Sequence, residues 1–227
     1  MLGVLSALSF ETELILRKLS GLEEKKISGV SFYKGRLNGK EIVLANMGIG
    51  KVNAGIITEA LILSFKVDAV IHIGVAGAIA EGLEVLEIVL GNRLSYHDFE
   101  REILKHCSPF LEEFEPDGRL FDIAFDFLKK SGGSFKVGRI VTGDSFIDSV
   151  QKKQAILSKY PDAVCVDMES AALAHACASN AVPFLVLRSI SDFSDEGLGE
   201  DNSYERNKLA AANKNIAIVE KIALEYR

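Results

Sequence analysis

Short apolar runs alternate along this chain with segments in which apolar residues recur at helical spacing. Short runs bounded by turn residues are typical of buried strands, and a period of about 3.6 residues indicates a helix packed on one face. The pattern predicts strands over Gly3–Leu8, Ser31–Leu37, Glu41–Asn46, Ala69–Ile73, Glu87–Leu94, Lys136–Val141, Ala163–Val166 and Val182–Ser189. It predicts helices over Phe10–Leu19, Val52–Ser64, Leu120–Lys130, Ser149–Lys159, Ser170–Asn180 and Tyr204–Tyr226.

The order of these elements favours an α/β fold in which helices cover both faces of one sheet. Asn38-Gly39 predicts a hairpin between the second and third strands, because this pair tolerates the positive φ of a tight turn. The hairpin makes the sheet mixed. With 227 residues, no internal repeat and no dividing linker, the chain is expected to form a single domain over residues 1–227.

Two segments do not fit the alternation. Phe99–Gly118 is charged and aromatic and contains two prolines, and Phe193–Ser203 is acidic and contains glycine. Both are interpreted as long loops. Loops of this length in compact domains are often lids or binding loops.

Composition narrows the function classes. Hydrophobic residues make up 48% of the chain, and the formal net charge is −6. A negative surface without a run of Lys or Arg argues against nucleic acid as a ligand, and no apolar run approaches the length of a membrane span. Three cysteines without a C-x-x-C pair favour a reducing, cytoplasmic setting.

Carboxylates stand at the predicted ends of three apolar strands. Glu11 follows the first strand, Glu169 follows Ala163–Val166, and Asp192 follows Val182–Ser189 with Arg188 close by. A buried carboxylate is costly unless it is paired or used. Such a set suggests cleavage of a glycosidic bond, which needs one acid for the leaving group and one base for water.

Other motifs are compatible with a ligand pocket but do not indicate a cofactor. Gly48-Ile49-Gly50-Lys51 lies between a strand and a helix, but it lacks the G-x-G-x-x-G spacing, so a tight turn lining a pocket is favoured over a nucleotide-cofactor site. Gly74-Val75-Ala76-Gly77-Ala78 is interpreted as a sharp turn that closes a strand, and it is equally compatible with ligand contact to the main chain. The four histidines have no metal-ligand spacing, so no metal is expected.

Seven motifs in this order resemble the 5′-methylthioadenosine/S-adenosylhomocysteine nucleosidases of the nucleoside phosphorylase superfamily. They are the Glu11 strand end, Met47-Gly48-Ile49-Gly50-Lys51-Val52, Gly74-Val75-Ala76-Gly77, Tyr96-His97-Asp98, Val141-Thr142-Gly143-Asp144-Ser145-Phe146-Ile147, Val166-Asp167-Met168-Glu169 and Arg188-Ser189-Ile190-Ser191-Asp192. The resemblance covers nearly the whole chain. It implies a three-layer α/β/α domain with a mixed, barrel-like central sheet, a homodimer, a purine nucleoside as substrate, no cofactor, and a place in methionine salvage.

The resemblance also implies a division of labour among the site residues. Asp192 would be the general acid that protonates the purine at N7, and Glu11 the base that deprotonates the attacking water. Glu169 would accept hydrogen bonds from the ribose hydroxyls, and Arg188 would orient the carboxylates and the water. A raised pKa is expected for Asp192, because it must hold a proton near neutral pH.

The remaining expected site residues would contact the substrate. Phe146 would stack on the purine, Ile147 would offer backbone hydrogen bonds to its edge, and Met168 would pack on the sugar. Tyr204 would form an aromatic wall of the 5′ pocket. The further expected binding positions are Val75, Ala76, Gly77 and Ser191.

The chain departs from the family pattern in four places. Val75 stands where Ser is usual, Asp167 where Glu is common, and Leu8 where Met is frequent, and the segment Phe99–Glu113 is shorter and different. Because that segment helps to form the 5′ pocket in relatives, partly across the dimer interface, a futalosine or aminofutalosine hydrolase, or another purine nucleosidase, stays open. A phosphorolytic nucleoside phosphorylase and a non-catalytic nucleoside-binding protein are the remaining alternatives.

Overall fold

The computed structural model describes residues 1–194 and 203–226. Within them the chain forms one nine-stranded mixed sheet and seven helices. The strands are β1 Leu2–Ser6, β2 Ser20–Ile27, β3 Val30–Leu37, β4 Lys40–Asn46, β5 Ala69–Ala78, β6 Ile88–Tyr96, β7 Phe135–Thr142, β8 Ala163–Asp167 and β9 Phe184–Phe193. The helices are α1 Ser9–Leu16, α2 Lys51–Phe65, α3 Arg101–His106, α4 Gly118–Ser131, α5 Val150–Lys159, α6 Ser170–Ser179 and α7 Ser203–Glu225.

Five strands of the sheet close into a barrel. The strand order is β2-β3-β4-β1-β5-β8-β7-β6-β9, and β9 returns to pair with β5. Strand β5 runs parallel to β1 and β9 and antiparallel to β8. The expected α/β class with a mixed, barrel-like sheet is therefore confirmed.

Helices cover the sheet on two sides. Helices α2 and α6 pack together on one side, and α1, α4 and α7 pack on the other. Each group contributes apolar residues to its own core cluster, for example Leu61 and Leu173 to the first and Leu128 and Val219 to the second. Local chemistry fixes the helix ends: Asp117 caps α4 by accepting from the Leu120 amide at 2.9 Å.

Strand β5 is longer than the sequence predicted, and the expected sharp turn at Gly74–Ala78 is wrong. The strand continues to Ala78, where Gly77 and Ala78 pair with β8. The small residues indicated a turn, but barrel closure needs an extended strand that pairs on both sides. An irregular register between Ala76 and Gly77 opposite β9 absorbs the bend.

Other differences follow from tertiary contacts. Strand β2 was not predicted, because its exposed, charged sequence lacks an apolar face and it forms by pairing with β3. The predicted loop Phe99–Gly118 contains helix α3 and a bridge between Leu94 and Phe114, so it is not a simple loop. Of the acidic segment Phe193–Ser203, residues 195–202 lie outside the described residues.

None of the helices in the described residues is both long and apolar enough to cross a membrane. The three cysteines are free, with Cys165 and Cys177 buried and Cys107 exposed.

Candidate active site

One cavity lies where β5, β8 and β9 meet the start of α1. Its volume, counted to its open mouth, is about 680 Å³. Every site residue expected from the sequence lines it: Glu11, Val75, Ala76, Gly77, Phe146, Ile147, Met168, Glu169, Arg188, Ser191, Asp192 and Tyr204. Residues separated by up to 193 positions are brought together because the strands of one closed sheet end at a common edge.

Glu11 is held at the floor of the cavity by three backbone amides. It lies in the first turn of α1 and is 1% exposed. The amides of Ala7 and Leu8 donate to its Oε2 at 3.2 and 3.0 Å, and the amide of Val75 donates to its Oε1 at 3.1 Å. Burial raises the pKa of Glu11 to about 7, although these hydrogen bonds and Arg188 act in the opposite direction.

Arg188 is buried and paired with Asp167. Its Nε donates to Asp167 Oδ2 at 2.8 Å, and its Nη2 donates to Ser170 Oγ at 2.8 Å and contacts the ring of His72. The two charged side chains are 1% and 2% exposed. Gly74 leaves the room for this arrangement, since a Cβ there would lie 3.0 Å from Arg188 Nη1 and 3.4 Å from Glu11 Oε1.

Glu169 lies in the connection between strand β8 and helix α6. It is the N-cap residue of α6, and its Oε1 accepts from the Gly50 amide at 2.9 Å. Burial and then the charge of Asp167 raise the pKa of Glu169 to about 7, while Arg188 and the Gly50 amide lower it. A carboxyl group with a pKa near 7 exchanges its proton readily at neutral pH, which suits it to acid–base or hydroxyl-binding roles.

Asp192 lies inside β9, one residue before its end, and does not follow the strand as the sequence indicated. It is 6% exposed, and the Ser191 hydroxyl donates to its Oδ1 at 2.6 Å. Gly77 on the paired strand β5 provides the space, because a Cβ there would lie 3.1 Å from Asp192 Oδ2 and 2.3 Å from Ser194 Oγ. Because Gly77 has no side chain, strand β5 leaves room for the Asp192 carboxylate, and Asp192 lines the cavity.

Aromatic side chains stand near the mouth. The rings of Phe146 and Tyr204 meet edge to face, with centroids 6.2 Å apart and planes at 76°. Phe146 is 36% exposed, so part of its ring is available to a ligand. Ile147 is buried beside it. An aromatic face beside convergent polar groups is suited to a planar base.

Several site residues were not assigned from the sequence. Asp167 is the most connected of them: besides Arg188 it accepts from Thr142 Oγ1 at 2.6 Å and from the hydroxyl of Ser170. The sequence did contain a signal for Asp167, since it lies two residues before Glu169 at a strand end, but it was interpreted only as a departure from the family. The cavity is also lined by Ala7, Leu8, Ile49, Gly74, Ser145, Val166, Asp167 and Ser194.

The charges in the cavity restrict its chemistry. Among the described lining residues the carboxylates are Glu11, Asp167, Glu169 and Asp192, and Arg188 is the one permanent cation, already paired. No group of three or more His, Cys, Asp or Glu residues in the described part of the chain could hold a metal ion. The arrangement offers proton donors and acceptors around an apolar space, and it repels anions.

Comparison with known proteins agrees with the fold. A sequence model of the phosphorylase superfamily matches residues 1–225. The 5′-methylthioadenosine/S-adenosylhomocysteine nucleosidase of Staphylococcus haemolyticus is 36% identical over 226 residues, which cover 98% of both chains. The crystal structure of the nucleosidase of that name from Neisseria meningitidis, in complex with methylthio-immucillin-A, matches with a TM-score of 0.91 and 32% identity over 97% of each chain.

A third match is the nucleosidase structure from Colwellia psychrerythraea in complex with adenine, with a TM-score of 0.90 and 29% identity over 98% of this chain and 93% of that one. The barrel and the superfamily match together define a member of the phosphorylase superfamily. Within it, the chain belongs to the 5′-methylthioadenosine/S-adenosylhomocysteine nucleosidase family, and the resemblance noted in the sequence is confirmed.

Proposed function

We propose that this protein hydrolyses the N-ribosidic bond of 5′-methylthioadenosine, S-adenosylhomocysteine or both, releasing adenine and a 5-thio-substituted ribose. The observation that carries the proposal is the convergence of Glu11, Glu169 and Asp192 on one largely apolar cavity. Structures of the same fold, named as nucleosidases, hold methylthio-immucillin-A or adenine. The proposal treats residues 1–227 as one nucleosidase domain.

Asp192 is proposed as the general acid. Breaking the N-ribosidic bond leaves negative charge on the departing purine, and a proton donated to N7 neutralises it. Two contacts support this role: the Ser191 hydroxyl bonds one carboxylate oxygen of Asp192, and Gly77 leaves room for the other. A positioned acid contributes about 10²–10⁴ in rate.

Glu11 is proposed as the base that orients and deprotonates the attacking water. Its pKa of about 7 is suited to accepting a proton at neutral pH. Three amides hold the carboxylate still, so it needs no reorganisation as positive charge develops on the sugar. Arg188, which is paired with Asp167, orients the Glu11 carboxylate through its positive charge.

The other contacts divide between the sugar, the base and the 5′ group. Glu169 accepts hydrogen bonds from the ribose hydroxyls, and Met168 packs on the sugar. Phe146 stacks on the purine, Ile147 bonds its edge through the backbone, and Tyr204 walls the 5′ pocket. Backbone and small side chains complete the proposed binding surface at Val75, Ala76, Gly77 and Ser191.

Hydrolysis is favoured over phosphorolysis by the charge of the cavity. Phosphate would need cationic partners, but Arg188 is paired with Asp167 and the described lining carries four carboxylates. Glu11 at the floor would repel a phosphate dianion. A binding-only role is disfavoured, because holding a nucleoside does not require two buried carboxyl groups with pKa values of about 7.

A homodimer in the cytoplasm is proposed for the assembly. Exposed apolar side chains lie along one side of α2, at Val52, Ile56 and Leu63, and near α3, at Ile103 and Phe110. An exposed patch of this kind is typical of a protein interface. Light scattering after gel filtration is expected to give twice the chain mass of 24.7 kDa, and a monomer at micromolar concentration would contradict the assembly.

The experiment that tests the function is a substrate panel. Purified protein is mixed with methylthioadenosine, S-adenosylhomocysteine, adenosine, inosine or aminofutalosine, with and without phosphate, and free base is measured. We expect phosphate-independent adenine release from the first two. Phosphate-dependent turnover would overturn hydrolysis, preference for aminofutalosine would change the 5′ assignment, and no turnover at all would favour the binding protein.

A further inference from the structure

Three sequence motifs meet beside the cavity, and each of them contributes a side chain that the proposed chemistry does not use. They contribute Lys51, Asp98 and Asp144, which lie in separate parts of the chain. Lys51 Nζ donates to both Asp98 carboxylate oxygens at 2.7 Å and lies 3.6 Å from Asp144 Oδ2. The backbone amide of Asp144 donates to Asp98 Oδ2 at 2.9 Å. The three side chains therefore form one connected network.

Within this network, Asp144 caps helix α2 from a different segment of the chain. The helix N-cap is Gly50, which has no side chain to bond the free amides of the first turn. Asp144 Oδ1 accepts from the Lys51 amide at 2.8 Å and so supplies the missing cap. Its negative charge also interacts favourably with the N-terminal end of the helix.

Gly50 makes this contact possible in two ways. Its φ of 95° lies in a region that residues with a Cβ rarely adopt. A Cβ at Gly50 would lie 3.2 Å from Asp144 Oδ1, closer than most side-chain contacts. The glycine is therefore explained by the approach of Asp144.

The capped turn carries a hydrogen-bond donor for the site. The Gly50 amide, next to the capped Lys51 amide, donates to Glu169 Oε1 at 2.9 Å. On the other side, Asp144 adjoins Ser145 and Phe146, which both line the cavity. Asp144 therefore connects two parts of the site. One is the turn whose Gly50 amide donates to Glu169, and the other is the segment that carries Phe146.

Lys51 and Asp98 hold Asp144 in place. Burial alone would raise the pKa of Asp98, but the hydrogen bonds from Lys51 and from the Asp144 amide outweigh it and lower the pKa. Asp98 is therefore ionised at neutral pH and available to both donors. The Lys51 ammonium lies between Asp98 and Asp144, and it offsets their mutual repulsion.

We propose that Asp144, held by Lys51 and Asp98, is a positioning residue for the nucleosidase site. It fixes the Gly50 amide against Glu169 and holds Phe146 at the mouth of the cavity, without touching the reacting bond. This inference rests on the proposed function, in which Glu169 accepts hydrogen bonds from the ribose hydroxyls, and it takes that binding to be the same in the ground state and the transition state.

The kinetic test compares Asp144→Ala with Asp144→Asn, which keeps the acceptor oxygen. For Asp144→Ala we expect the KM for methylthioadenosine to rise about five- to tenfold, the size of one lost cap, with kcat within about threefold. Asp144→Asn is expected to restore most of the KM. Asp148→Ala is the matched control, because Asp148 belongs to the same segment but pairs with Lys152 at the surface.

A pH profile adds a readout that a general loss of stability would not move. The groups that act on Glu169 are Asp167, Arg188, Glu11 and the Gly50 amide. Only the amide loses its position in Asp144→Ala, and its bond favours the ionised carboxylate. The acidic limb of kcat/KM should therefore move to higher pH in Asp144→Ala and stay in place in Asp148→Ala.

Amide hydrogen exchange separates this inference from the proposed function. In Asp144→Ala the Gly50 and Lys51 amides should exchange at least about tenfold faster, whether or not any nucleoside is cleaved, while Asp148→Ala should leave them protected. Wild-type protein without turnover would refute the function alone. Unchanged exchange, or equal KM changes in Asp144→Ala and Asp148→Ala, would overturn the positioning role.

Discussion

Replacing Arg188 by Met tests whether the buried ion pair organises the site. The guanidinium of Arg188 donates to Asp167 at 2.8 Å, to Ser170 at 2.8 Å and to the Leu187 carbonyl at 3.2 Å. Removing it leaves Asp167, which is 2% exposed, as an uncompensated buried charge. Breaking such a pair costs about 3–5 kcal/mol of unfolding free energy.

We expect a value near the lower end, about 3 kcal/mol, because Asp167 keeps other donors. Thr142 Oγ1 donates to it at 2.6 Å, and the Ser170 amide donates at 3.2 Å. For a chain of this size that loss lowers the melting temperature by about 6–12 °C. Activity should also fall, because Arg188 lowers the pKa of Glu11, and its removal makes the proposed base harder to ionise at neutral pH.

The assay is urea unfolding followed by far-ultraviolet circular dichroism at one fixed protein concentration, so that any self-association is held constant. The double variant Asp167→Asn/Arg188→Met should cost less than the sum of the single variants by about 1–3 kcal/mol, because the stranded charge is gone. Arg17→Met is the control, since Arg17 and its partner Glu13 are 76% and 59% exposed and the loss of their ion pair should cost about 0.2–1 kcal/mol. Strict additivity, or a cost for Arg188→Met below about 1 kcal/mol, would refute the reasoning.

Three further predictions concern the carboxylates and the gap beside Asp192. Asp192→Asn should lower kcat for adenine release by about 10²–10⁴ while adenine affinity, measured by calorimetry, changes little; near-normal turnover would eliminate Asp192 as the acid. The pKa of Glu11 rises from 4.5 to about 7 on folding, so the folded state binds the extra proton more tightly and its contribution to stability is lost as pH rises from 4.5 through 7. Glu11→Gln should flatten the fall in unfolding free energy across that window, and an unchanged slope in urea titrations at several pH values would contradict the raised pKa. Gly77→Ala should lower kcat about tenfold, because the added Cβ would displace Ser194 and press on Asp192, whereas Gly118→Ala, which meets nothing within 4 Å, should leave kcat unchanged. Equal effects of the two variants would show that the room left by Gly77 does not matter for catalysis.

Local chemistry in the sequence was sufficient for most elements of the fold. The apolar period predicted the buried strands and the amphipathic helices, and Asn38-Gly39 predicted the hairpin between β3 and β4. Where the side chains showed no apolar pattern, the prediction of secondary structure failed. Strand β2 is exposed along seven of its eight residues, so only pairing with β3 makes it a strand.

The candidate site divides in the same way. Strand-end carboxylates and the family motifs indicated Glu11, Glu169 and Asp192, because a charge next to an apolar run is costly and therefore visible in one sequence. Asp167 was missed as an organiser, since its role depends on Arg188, Ser170 and Thr142, which only folding brings within bonding distance.

The sequence by itself determined the order of most strands and helices, the mixed sheet and the residues with the chemistry to cleave a nucleoside. Only the tertiary structure decided that β9 closes the barrel on β5, that Gly74 and Gly77 leave room for Arg188 and Asp192, and that burial gives Glu11 and Glu169 pKa values of about 7. The physical reason is the distance along the chain over which each kind of interaction acts. Periodicity and turn propensity act between neighbours in the chain, whereas strand pairing, desolvation and charge coupling depend on distances in space that the chain sets only once it has folded.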